Sequence, residues 1–132
     1  MGRALCDKHL LDKDLVAKDG VTYCNWFIQR VFSDLGYHKL LNKQANDILD
    51  FCLNTPDDFQ EITCDESIAQ AKNDLVILVA AKGKPHGHVA ICYDETPVYS
   101  AKWNKQVPKV ASAGARNGVF GVNWVFKEMP RF

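Results

Sequence analysis

The chain has 132 residues, 47% of them hydrophobic, enough for one domain (1–132) that buries about two thirds of its unfolded surface in a single core. Sixteen Lys plus Arg balance sixteen Asp plus Glu, which removes the long-range field that nucleic-acid or anionic-membrane binding would use, so neither is expected as a partner. Five cysteines, at 6, 24, 52, 64 and 92, form an odd set without a C-x-x-C pair, which argues against both a zinc ribbon and a disulfide framework.

Residues 3–11 read as weakly helical. Met1-Gly2-Arg3-Ala4-Leu5-Cys6-Asp7-Lys8 is charged too early for a signal peptide, and the longest apolar run, Leu75 to Ala81, is far short of the roughly 20 residues a membrane helix requires. The expectation is a protein made in the cytoplasm without a signal peptide and without membrane insertion. After the turn residue Gly20, Thr22 is placed to cap a helix in which Cys24, Phe27, Ile28, Val31, Phe32 and Leu35 recur at helical spacing until Gly36 supplies a stop. Ala45, Ile48, Leu49, Cys52 and Leu53 mark a second helix that ends before Pro56. Glu66 to about Lys72 forms a short third helix with Asp65 as its expected cap.

The pattern then changes to β. Leu75-Val76-Ile77-Leu78-Val79-Ala80-Ala81 is a continuous β-prone run and reads as a central strand; Gly87 to Tyr93 is the next, and Val98 to Trp103 a third, joined by turns rich in Gly and Pro. These three are expected to form an antiparallel meander. Gln106 to Gly118 reads as an irregular connection and Val119 to Lys127 as a further strand. Helices first and strands second indicate an α+β fold, with the N-terminal helices packed on one face of an antiparallel sheet.

Two positions carry chemistry. Cys24 falls in the first turn of the best-patterned helix, where unpaired backbone N–H groups and the helix dipole favour thiolate, the nucleophilic form. His88 opens an apolar strand and shares one face of it with Ala90 and Cys92, small residues that leave room for a helix end and a substrate. A thiol and an imidazole are two parts of a cysteine hydrolase, the others being a group that orients the imidazole and donors for the oxyanion. His86 is the rival histidine, two residues away on the same face but in the turn beside Pro85. A metal reading with His86, His88 and Cys24 as ligands lacks a fourth ligand, and neither metal nor organic cofactor is expected. Cys52 and Cys92 fit as small hydrophobes. Trp103 and Trp124 are either core tryptophans or, together with Asn104, the lining of a substrate groove.

Cys24-Asn25-Trp26-Phe27 at a helix start, then Leu35-Gly36, Ala45-Asn46 on a second helix, Ala71 followed by Asp74-Leu75-Val76-Ile77, and Gly87-His88-Val89-Ala90 together resemble the NlpC/P60 and CHAP papain-like amidases of bacterial cell walls. Within that group the order and spacing are most similar to the type VI secretion amidase effectors (family 1-like), over residues 20 to about 104. The resemblance implies a papain-like NlpC/P60 fold and a peptidoglycan amidase, an endopeptidase that cleaves stem peptides, commonly between D-glutamate and meso-diaminopimelate. Cys24 and His88 fall on its catalytic pair. The orienting residue of such enzymes comes from the strand after the histidine strand, which in Val98-Tyr99-Ser100-Ala101 points to Ser100, with Asn104 or Asp94 as alternatives and a Cys-His dyad as a further one. The backbone N–H of Cys24 is the expected oxyanion donor, with Tyr23 or Asn25 as a second, and Trp103 and Asn104 as substrate contacts. A secreted antibacterial effector delivered into the periplasm would travel with a cognate immunity protein. A phage-type lysin and a catalytically inert peptidoglycan-binding module are the alternatives, and a monomer is expected.

Overall fold

The computed structural model describes residues 2–71, 73, 75–84, 86–93 and 96–132. Four helices come first: α1 (Gly2–Leu10), α2 (Cys24–Asp34), α3 (Ala45–Asn54) and α4 (Cys64–Ala71), with a 3-10 turn at Lys13–Leu15. Six strands follow, β1 (Leu78–Ala81), β2 (His88–Cys92), β3 (Val98–Ser100), β4 (Lys105–Val107), β5 (Lys109–Ala113) and β6 (Asn117–Gly121), and then the single-turn α5 (Val122–Val125). The fold is α+β with an antiparallel sheet. No helix among the described residues is long and apolar enough to cross a membrane.

The helices form where spacing and caps place them, with two differences at their starts. Phe27, Ile28, Val31 and Phe32 are the buried stripe of α2, and Gly36, at φ +84°, takes the left-handed conformation that ends it. Thr22 does not cap α2; the N-cap is Tyr23 and no side chain bonds the first turn. Helix α4 begins at Cys64, earlier than expected, because Thr63 and Glu66 form a reciprocal capping box that displaces Asp65 from that role: Thr63 N–H donates to Glu66 Oε1 at 3.0 Å and Glu66 N–H to Thr63 Oγ1 at 3.1 Å. The expected end at Lys72 falls outside the described residues.

The sheet departs from the expected meander. Its order is β1-β2-β5-β6, every neighbour antiparallel, while β3 and β4 pair only with each other as a separate hairpin. The stretch from Gln106 to Gly118, expected to be irregular, supplies β5, which inserts beside β2. Val119 to Lys127, expected as one strand, completes β6 and then turns into α5. Leu75 to Ala81, expected at the centre, holds the edge strand β1, whose outer side at Ala80 exchanges two 2.9 Å backbone bonds with Arg131.

Helices were expected on one face only, and both faces are covered. Val89, Ile91, Ala111 and Ala113 point into a core shared with α1, α2 and α3, while Val79, Ala90, Cys92 and Val110 point into a second core with Val107, Val122 and Phe126. Two covered faces explain why the β1 run is continuously apolar, since alternation appears only where one face meets water. Complete burial of each Val or Ile contributes about 1.5–3 kcal/mol.

A charged cluster ties α1 to α2. His9, 7% exposed, has Nδ1 2.7 Å from Asp12 Oδ2 and Nε2 2.7 Å from Asp34 Oδ2. The ring therefore stands between two carboxylates, which only accept. Arg30 donates to Asp12 at 2.9 Å and Lys8 to Asp34 at 2.9 Å. His9 and then Arg30 hold the Asp12 carboxyl below its ordinary range, and Lys8 and then His9 do the same for Asp34. A carboxyl depressed in the folded state stabilises the fold above its unfolded pKa, and that contribution is lost as pH falls through the folded value. Thermal melts should therefore show stability falling below about pH 4, with a smaller acid loss in Asp12→Asn and Asp34→Asn. His9→Ala should cost about 1–3 kcal/mol near neutrality.

Candidate active site

The site lies where β2 and β5 part. They are paired at Ile91↔Ala111 and Cys92↔Val110, whereas towards the start of β2 each keeps only its outer partner, His88 pairing Ala81 and Ala113 pairing Asn117. Tyr93 N–H donates to Lys109 O at 3.0 Å, and by the two-residue alternation of an antiparallel ladder the Val89 amide also faces the β5 side. Cys24 packs in the same core cluster as Val89, whose amide pulls the thiol pKa down. Packing of α2 on the sheet thus brings Cys24 to the residue next to His88.

Thiol and imidazole stand on opposite faces of β2, and among the described residues no hydrogen bond joins Cys24 Sγ to the ring. Cys24 belongs with Val89 to the helix-side core. The His88 ring stands edge-on to Phe126, centroids 5.3 Å apart, on the other side. Its Nε2 is 2.8 Å from Ser112 Oγ on β5, which leaves Nδ1 as the nitrogen available for proton transfer. Gly114 lies against the ring: a Cβ there would come within 3.2 Å of His88 Cε1 and 3.7 Å of Ser112 Oγ. The hydrogen-bonding partner expected at Ser100 is Ser112. Ser100 is fully buried in the separate β3–β4 hairpin, where its Oγ accepts from Trp103 N–H at 3.1 Å. Asn104, at φ +53°, accepts from Tyr99 OH in the same hairpin turn. Asp94 lies outside the described residues. Ser112 is not legible in the sequence because Val110-Ala111-Ser112-Ala113 lies between Pro108 and Gly114 in a stretch of weak β-propensity, and only its place beside β2 reveals it.

The other expected contacts divide. The Tyr23 ring packs on Trp26 at the helix start, with centroids 4.8 Å apart and planes tilted by 38°. Asn25 Nδ2 donates to Lys43 O at 3.1 Å, so its side chain serves the α2–α3 connection and only its backbone amide acts on Cys24. Trp103 is half-buried beneath Lys102, whose Nζ is 5.0 Å from the ring centroid, and Trp124 is 83% exposed, outside the core. A cleft of about 500 Å³ opens on the imidazole side, bounded by Lys82, Gly83, His86, His88, Phe126 and Lys127; His86 is exposed there. A larger apolar groove of about 600 Å³ between Phe32, Leu49, Phe59, Val76 and Phe132 touches neither Cys24 nor His88. Among the described residues no three His, Cys, Asp or Glu side chains converge as metal ligands.

Burial overrides the helix-start effect on the thiol. Cys24 is 6% exposed; its pKa is raised by burial, against opposing pulls from the backbone amides of Val89, Asn25 and Cys24 itself. Cys6 and Cys92 are pushed up to about 12 and Cys52 to about 11 by burial, and Cys64 also rises, but Cys24 alone is opposed by backbone amides. Burial likewise pushes His88 below its ordinary value. Both shifts favour a neutral thiol beside a neutral imidazole in the free protein.

Alkylation of Cys24 by iodoacetamide should therefore be slow at pH 7 and keep rising past pH 9, without a plateau at neutrality. Ser112→Ala and Gly114→Ala should each shift the His88 ring-proton resonances, the first by removing the partner of Nε2 and the second by displacing the ring, and Ser100→Ala should leave them unmoved. Compared with known proteins, the chain matches no protein-family model and no curated protein.

Proposed function

We infer that this protein is a cysteine amidase acting on peptidoglycan stem peptides. The reading rests on one observation: Cys24, at a helix start with no side-chain cap, packs in one core cluster with Val89, the residue next to a histidine whose Nε2 is held by Ser112. An uncapped helix start presents backbone N–H groups, the Cys24 amide among them, where an acyl oxyanion would need donors. The resemblance of the Cys24 helix and the Gly87-His88-Val89-Ala90 strand to NlpC/P60-like amidases supplies the substrate class, with the D-glutamate to meso-diaminopimelate bond as the expected target.

The chemistry follows from a neutral pair. With its proton on Nε2 and donated to Ser112 Oγ, His88 keeps a basic Nδ1 to take the Cys24 proton as Sγ attacks the amide carbonyl. The tetrahedral intermediate collapses by breaking the C–N bond, and the imidazolium returns the proton to the departing amine. Water activated by the same Nδ1 then hydrolyses the thioester and regenerates the thiol. Ser112 contributes orientation and tautomer but no charge, so stabilisation of the imidazolium falls to the substrate and the surrounding dipoles. The reaction as written uses protein groups and water. Delivery as a type VI effector into a competitor's periplasm, with a cognate immunity protein, fits a cell-wall substrate.

Purified protein should release cleaved stem peptides from muropeptides, read by mass spectrometry, and Cys24→Ala and His88→Ala should each abolish nearly all of that, with circular dichroism unchanged. Retention of a tenth of wild-type turnover by Cys24→Ala would refute the mechanism, and binding without cleavage by the wild type would identify an inert module. Expression in a Gram-negative cytosol should be harmless, and export behind a secretory signal should cause lysis that Cys24→Ala does not. Equal toxicity in both compartments would exclude a cell-wall target.

A further inference from the structure

The start of α3 holds both halves of the site, although no residue there belongs to either. On one side, Asn25 and Gln29, four residues apart on the Cys24 helix, both donate to Lys43 O, at 3.1 and 3.0 Å, immediately ahead of the α3 N-cap Gln44. On the other side, Asn46 grips the turn that leads into His88: its Nδ2 donates to Gly83 O at 3.0 Å, and Gly83 N–H donates to its Oδ1 at 3.2 Å. One helical turn later, Asp50 pairs with Lys82 at 2.5 Å. The approach is close enough to exclude side chains, since a Cβ on Gly87 would collide with both Asn46 Oδ1 and Ala81 O.

A two-way amide clamp fixes the path of a backbone as well as its distance, because donor and acceptor must both stay in register. Here it acts on the β1–β2 connection at a point five residues before His88, while the same short segment of chain, 43–46, is tied to the helix that carries Cys24. Ala45 packs into the helix-side core at 6% exposure, which anchors the segment itself. Resting on the reading of Cys24 and His88 as the reacting pair, we propose that Asn46 is a positioning residue that holds the His88 end of β2 in reach of the Cys24 thiol.

The test compares Asn46→Ala and Asn46→Asp with the wild type. Asn46→Ala should lose about 10- to 100-fold in kcat with KM changed less than about twofold, as expected when a catalytic group is displaced by an ångström or less. Its Gly83 amide should exchange with solvent faster, and the His88 ring-proton resonances should shift. Asn46→Asp keeps the acceptor for Gly83 N–H and loses the donor to Gly83 O, so it should recover part of both kcat and Gly83 protection. Faster Gly83 exchange in Asn46→Ala with wild-type kcat and unmoved His88 resonances would overturn the proposal, as would a loss of activity no larger than the unfolded fraction measured by thermal melting. Should Asn46→Ala fail to fold, Asn46→Asp decides by the same readouts. A folded wild type that cleaves no muropeptide would overturn the amidase reading alone, because the His88 resonances still report whether Asn46 sets the ring's position.

Discussion

The site depends on the ladder between β2 and β5 ending before His88. A fully zipped pair would satisfy the Val89 amide with a carbonyl of β5, and no donor would remain for the Cys24 sulfur. Parting the strands exposes that amide to the thiol and leaves the span between them to be bridged by side chains, His88 from one strand and Ser112 from the other. Gly114, just past the end of β5, permits the bridge, because any Cβ there would press on the imidazole. Two sheet strands that separate between outer partners which stay in place, β1 and β6, form a crevice with rigid walls, and rigid walls fix where His88 and Ser112 stand.

The electrostatics of Cys24 pit two effects of comparable kind against each other. The amides at a helix start favour thiolate, and the surrounding core disfavours any charge. Burial wins, so Cys24 and His88 both rest uncharged. A neutral serine as the partner of His88 suits that state: an uncharged acceptor fixes the tautomer without stabilising an imidazolium, whereas a carboxylate would favour protonation. Burial of the thiol also shields it from adventitious oxidation.

Residues whose role is set by their own segment were legible in the sequence. The α2 stripe, the Gly36 stop, the break before Pro56 and the strand at His88 all follow from periodicity and backbone preference. What could not be read is what neighbours decide. Whether Leu75 to Ala81 sits at the centre or the edge depends on which strand pairs with it, and apolar residues on both faces look the same in either place. Ser100 and Ser112 are equally plausible by composition. The choice between them is made by the β3–β4 hairpin folding away as its own sheet, and by β5, a strand of Val, Ala and Ser between Pro108 and Gly114, taking the place beside β2. The capping box at Thr63 and Glu66 was available to pattern reading, and the more obvious acid at Asp65 obscured it.

The segment 43–46 shows how helices and strands far apart in sequence can be fixed relative to one another. Cys24 and His88 are separated by 64 positions, and each belongs to an element with its own freedom to slide. A hydrophobic interface alone resists separation but tolerates sliding, because dispersion and burial depend weakly on register. Hydrogen bonds supply what the core lacks: two amide side chains of α2 converge on one carbonyl, and three residues later a third amide reaches the backbone of the β1–β2 connection in both directions. Each bond contributes only about 0.5–1.5 kcal/mol to stability, so their value lies in direction. The core sets how firmly α2, α3 and the sheet are held together, and this polar seam sets where along one another they stop.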